Sequence, residues 1–194
     1  MKRIEITGLI VIGLLLFFRV FVGMQLHVLL RILLVLTSIF YLWFGFFLFN
    51  KLGVIDLFHR SARKNLSPFK ITSSIVAGFV YSVSFISIIH NLEFYRGMHF
   101  LTLLALLLNS LLLAWGGYLT WKESREGVFL KPLFYRSLIF TVLFLGVWVT
   151  PLETRLNLLY KEHPSFIEAY KAHMEEPDDQ EKLQQLREER SAFR

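Results

Sequence analysis

Long apolar runs separated by short charged stretches make up most of this chain. The runs cover about residues 6–22, 29–49, 72–89, 98–120 and 133–150. They stay apolar all round, whereas a soluble core helix would alternate faces, and each approaches the roughly 20 residues a helix needs to cross a hydrocarbon core of about 30 Å. The pattern predicts an all-α integral membrane protein. A bundle of about five transmembrane helices would occupy residues 1–150, and a short soluble helical tail would occupy 151–194, outside the bilayer. The start, Met1-Lys2-Arg3 before an apolar run, resembles a signal peptide. With no A-x-A-like cleavage site after it and Arg19 closing the run, it reads as an uncleaved anchor.

The connections refine this picture. Gly23-Met24-Gln25 leaves so short a link that the first two helices should form an antiparallel hairpin. A basic loop over 51–70 carries Arg60, Arg63 and Lys64, and a second holds Lys122, Arg125 and Lys131 beside Glu123 and Glu126. The fifth segment is barely long enough to cross and contains Arg136. The amino terminus and the two basic loops place about eleven Lys and Arg on one side, against Arg19, Arg31 and Arg96 on the other, which makes the amino terminus cytoplasmic. Five crossings then put the tail on the periplasmic side of a plasma membrane, in a bacterium the inner one. A re-entrant fifth segment would return it to the cytoplasm.

Composition agrees with the pattern. Apolar residues make up 55% of the 194 and charged residues only 19%, with a mean hydropathy of +0.52. The net charge of +6 conceals an asymmetry: residues 1–150 carry +9 and residues 151–194 carry −3. The positive charge flanks apolar segments, so a nucleic-acid partner is not expected. Cysteine is absent, which removes disulfides, thiolate metal sites and cysteine nucleophiles. In the tail, Pro151 suits a first helical turn, Ser165 with Glu168 and Asp178 with Glu181 have capping-box spacing, and residues 175–179 form a break. Leu183 and Leu186 give the last helix a narrow apolar edge, so it should be mobile or held by a partner.

Within the spans, small and polar positions share faces: Arg31, Ser38, Tyr41 and Gly45; Ser73, Ala77, Ser84, Ser87 and Asn91; Thr102, Ala105, Asn109 and Gly116. Such faces pack membrane helices together. Ser84, Asn109 and Gly116 are the residues to test for packing or, alternatively, for lining a path. The 20 phenylalanines read as lipid-facing and packing surface, and the four tryptophans as interfacial anchors. Glu5, Glu93 and Glu153 all fall at helix ends, so no carboxylate is expected at depth, which disfavours an ion-coupled transporter.

Polar and ionisable groups collect at the outer end: Arg19, Gln25, His27, Arg31, His90, Asn91, Glu93, Tyr95, Arg96 and His99. One reading is a solvated polar rim with snorkelling arginines. A second is a site for an anion or lipid headgroup held by Arg19, Arg31, Arg96 and His27, since guanidinium groups clamp phosphate bidentately. A third is catalysis with His90 or Glu93 as general acid or base. No H-E-x-x-H, G-x-S-x-G or phosphate-loop motif occurs, and neither a metal nor a cofactor is expected. The leading expectation is a non-catalytic subunit or accessory protein of a larger membrane complex, with the bilayer and a membrane protein or a second copy as partners. An enzyme or binding protein for a lipid-linked anionic substrate, and a homo-oligomeric channel or transporter, are the alternatives.

Overall fold

A computed structural model describes residues 2–19, 27–53, 66–121 and 125–192. Among these, eight helices follow one another: α1 (Lys2–Phe17), α2 (His27–Asn50), α3 (Pro68–Leu92), α4 (Met98–Trp121), α5 (Arg125–Val149), α6 (Leu152–Leu159), α7 (Pro164–Glu175) and α8 (Gln180–Ala192). Among the described residues, four stretches are long and apolar enough to cross a membrane: Val28–Asn50, Pro68–Leu92, Met98–Trp121 and Phe129–Val149. At 1.5 Å per residue a helix of this length reaches about 35 Å. Their outward surfaces are greasy: Leu36, Phe79, Phe100, Leu111 and Val142 are all exposed. Contiguous apolar surface of this kind is a liability in water and ordinary in lipid. The fold is thus consistent with a helical membrane protein.

Helix ends differ from the sequence reading for identifiable reasons. The apolar part of α1, Glu5–Phe17, is shorter than the other four. Phe18 and Arg19 continue it as a widened, π-type turn, and the hairpin turn at 23–25 lies outside the described residues, as do 54–65 and 122–124 of the basic loops. Helix α3 starts four residues before the apolar run because Ser67 caps it, its Oγ accepting from the Lys70 N–H at 3.3 Å, and Pro68 suits the first turn. The largest difference is α5. Its helix runs straight through Pro132, so that Lys131 and Arg136 are both helical. A proline removes the N–H that would bond the carbonyl four residues before it, and membrane helices tolerate this. Beside it the Arg136 guanidinium donates to the Pro132 carbonyl at 3.3 Å, and the Tyr81 hydroxyl donates to the Leu133 carbonyl at 2.8 Å.

The chain forms two compact units. The first comprises Met1–Leu9 with Leu33–Val149. Its centre is aromatic: Tyr41 stacks on Phe85 with centroids 5.4 Å apart, and Tyr81 stacks on Phe140 at 5.6 Å. Helices α2 and α3 cross at Gly45 and Gly78. A Cβ on Gly45 would lie 2.8 Å from the Gly78 Cα, and one on Gly78 would lie 2.6 Å from the Tyr41 carbonyl oxygen. Only hydrogen fits at either position. Gly116 packs α4 against α5, and a Cβ there would meet the Phe134 Cβ at 3.5 Å, an ordinary contact. All four tryptophans are exposed.

The second unit comprises Ile10–Ile32 with Thr150–Arg194. Leu156, Tyr160, Phe166, Ala169, Tyr170 and Leu186 form its small core. The last helix finds its partner within the chain. Leu186 is buried, Arg190 lies over the Phe166 ring at 5.8 Å, and the Ser165 hydroxyl donates to Glu189 at 2.6 Å. Ser165 therefore does not cap α7, where Pro164 occupies the first turn after His163. The cap of α8 is Asp179, one residue later than its spacing suggested, with Oδ1 accepting from the Glu181 N–H at 2.9 Å. Pro151 stands as the N-cap of α6, just ahead of its first turn.

Candidate functional site

The most strongly organised chemistry lies at Glu5. Glu5 stands in the first turn of α1, at a helix end as its position in the sequence suggests, but it is buried against other helices. Glu5 is 5% exposed and takes two hydrogen bonds from one guanidinium: Arg136 Nε donates to Oε1 at 3.0 Å and Nη2 to Oε2 at 2.9 Å. The Tyr41 hydroxyl donates to Oε1 at 2.5 Å. Tyr41 stands nine residues before the end of α2, about 13 Å along a helix of 1.5 Å rise. A residue near the start of α1 thus bonds deep along its neighbours. Each partner is itself held in place. The Arg136 Cζ lies 5.3 Å from the Phe49 ring centroid, and Tyr81, against Tyr41, bonds Ser137 at 3.1 Å. A fork-to-fork guanidinium–carboxylate pair is the geometry that justifies burying two charges.

The cluster borders a cavity of about 500 Å³ between the end of α2 and the start of α5. Glu5, Phe47, Lys51, Phe129, Leu133 and Arg136 are among its lining. Lys51 is exposed and sits at φ 55, the left-handed region, just beyond the last turn of α2.

The polar face between α3 and α4 is a different arrangement. Asn109 Nδ2 donates to Ser84 Oγ at 2.7 Å and to the Ala105 carbonyl at 2.8 Å, and Ser84 and Asn109 are both fully buried. One end of the face is closed by Asn91, whose amide donates to Thr102 at 2.7 Å. Ser38 and Ser82 pair in the same way between α2 and α3, at 2.8 Å.

The outer-end residues are distributed between the units. In the first unit, α3 ends in a Schellman-type turn. The Glu93 N–H bonds the Ile89 carbonyl, Phe94 takes φ 50, and the Tyr95 N–H bonds the His90 carbonyl. Glu93 is buried, the His90 ring packs edge-on to Tyr95 at 5.5 Å, and Arg96 and His99 are exposed. In the second unit, Arg19 is buried, donates to the Tyr160 hydroxyl at 3.1 Å and lies over that ring at 5.5 Å. Arg31 is half-buried on α2. His27 opens α2 with its side chain outside the described set, and Gln25 lies outside it altogether. Among the described residues, no three His, Asp or Glu gather closely enough to hold a metal ion.

Sequence reasoning missed the Glu5 cluster. Arg136 inside an apolar run was the available signal, because a lone arginine at depth calls for an acid. No protein-family model matches the chain, and neither a curated protein nor a solved structure matches it.

Proposed function

We propose that the chain is a non-catalytic subunit or accessory protein of a larger membrane complex. In this reading it crosses a plasma membrane five times, in a bacterium the inner one, with a cytoplasmic amino terminus and the acidic tail on the periplasmic side. The observation that carries the proposal is where the buried polar side chains go. Glu5 with Arg136 and Tyr41, Ser84 with Asn109, Asn91 with Thr102, and Ser38 with Ser82 each fasten one helix to another. Such a framework is suited to holding a shape and presenting the tail, which carries −3 over residues 151–194 and would attract a basic partner. Extraction in mild detergent, followed by sizing and mass spectrometry of co-purifying proteins, tests the proposal. A stoichiometric partner is expected, and a chain that elutes alone and monodisperse would end this reading. A single cysteine introduced by Ser191→Cys, against a cysteine-free background, reports the side of the tail by its access to an impermeant thiol reagent.

The reading of a lipid-linked anionic substrate at the outer end meets a specific geometry. Arg19, one of its cations, is turned onto Tyr160 within its own unit. The channel reading requires a path along Ser84 and Asn109, and these two side chains meet each other.

A further inference from the structure

We propose that the cavity between the end of α2 and the start of α5 binds an acyl lipid with an anionic phosphate headgroup, the chain lying against the aromatic wall and the phosphate between Lys51 and Arg136. Three observations converge on it. The volume, about 500 Å³, falls within the range of pockets that hold a small organic ligand. The described lining combines apolar side chains, Phe47, Phe129 and Leu133, with ionic ones, Lys51, Arg136 and Glu5. An amphiphile requires both. Among the described lining residues stand two cations and one anion, a net positive charge. Glu5 takes Nε and Nη2 of Arg136, whereas Nη1, which carries two hydrogens, has one long contact, to the Pro132 carbonyl at 3.3 Å. Lys51 forms no ion pair among the described residues and stands exposed at the rim.

Glu5 acts here as a positioning residue. It fixes the guanidinium plane with one edge towards α1 and leaves the other edge for a ligand. Arg136 then gives direction and Lys51 supplies charge, the division of labour expected of these two side chains at a phosphate.

The test uses the purified full-length chain in a non-ionic detergent, titrated by calorimetry with dioctanoyl phosphatidate, dioctanoyl phosphatidylcholine and inorganic phosphate. Saturable binding of phosphatidate is expected, about tenfold tighter than that of phosphatidylcholine, with no heat from phosphate alone. The informative variant is Lys51→Gly. Glycine accepts the left-handed backbone at this position, so the fold should be kept or slightly strengthened. Its phosphatidate affinity should fall about fivefold, the worth of one lysine near a lipid surface. Leu52→Trp, which narrows the cavity from its half-buried edge, should weaken both lipids together. Equal affinity for the two lipids, binding of inorganic phosphate as tight as that of phosphatidate, or an unchanged Lys51→Gly would each overturn the assignment. None of these results depends on whether the chain has a protein partner.

Discussion

Two polar regions of the helical bundle join helices by opposite means. At Glu5 a full negative charge is buried against a full positive one, with a phenol completing the set. Along α3 and α4 the partners are neutral, an amide on a hydroxyl at 2.7 Å in both places. A neutral pair in a membrane adds little, because each member finds other partners when the helices separate. A charge pair is unequal in its effects: intact it contributes modestly, but losing one member strands the other. The cost of mutation should therefore differ more between the regions than their similar bond lengths suggest.

The sharpest way to break that contrast is Glu5→Ala, which leaves Arg136 without its acid. A loss of about 3–5 kcal/mol is expected by reversible unfolding in detergent. The paired change Glu5→Leu with Arg136→Met should recover most of it, since an apolar pair of similar size has no stranded charge. A double change as damaging as the single one would mean that the site is held by shape. Next in size is Gly78→Ala, which places a methyl 2.6 Å from the Tyr41 carbonyl and forces the backbones apart. About 1–3 kcal/mol should be lost, with the Tyr41–Glu5 bond weakened as a secondary effect. The neutral seam comes third. Asn109→Ala should cost about 0.6–1.7 kcal/mol, and a loss as large as that of Glu5→Ala would erase the distinction.

Smallest of all are the ion pairs of the tail, which are open to water. The hydrogen bond from Lys171, and then its charge, hold the Glu153 carboxyl below its ordinary value. A depressed folded value means that the pair stabilises above the ordinary carboxyl range and that this contribution fades as pH falls through the depressed value. Lys182 is the mirror case, raised first by its hydrogen bond to Glu176. Its contribution holds below the ordinary amine value and fades as pH rises through the elevated one. Carboxyl-selective nuclear magnetic resonance should show the Glu153 titration moving up in Lys171→Ala, with no measurable change in thermal midpoint at neutral pH.

What could be read from the sequence followed the range over which each signal acts. The spans of α2 and α4 were legible to within two residues because apolar length is a local property. The start of α3 was also written locally, in Ser67-Pro68, but outside the apolar run. In α5 the arginine and the length of the apolar run argued for a short segment, and the helix instead extends over Arg125–Val149, through Pro132. The partners of Glu5 lie 36 and 131 residues away, and no spacing rule reaches so far. The same holds for Arg19, grouped by sequence with an outer rim and found against Tyr160, 141 residues on. Polar faces on single helices were visible beforehand. Which hydroxyl would meet which amide depended on how the helices rotate against each other.

The distance in sequence between Glu5 and Arg136 also sets an order of events during synthesis. The acid leaves the ribosome first, and its guanidinium follows 131 residues later. At about 5–20 residues per second, that is a wait on the order of ten seconds. From 36 residues on, the Tyr41 hydroxyl is the one partner at hand. A nascent chain cut short before α5 keeps an acid with no counter-charge, so the completed pair marks a chain in which α5 has arrived.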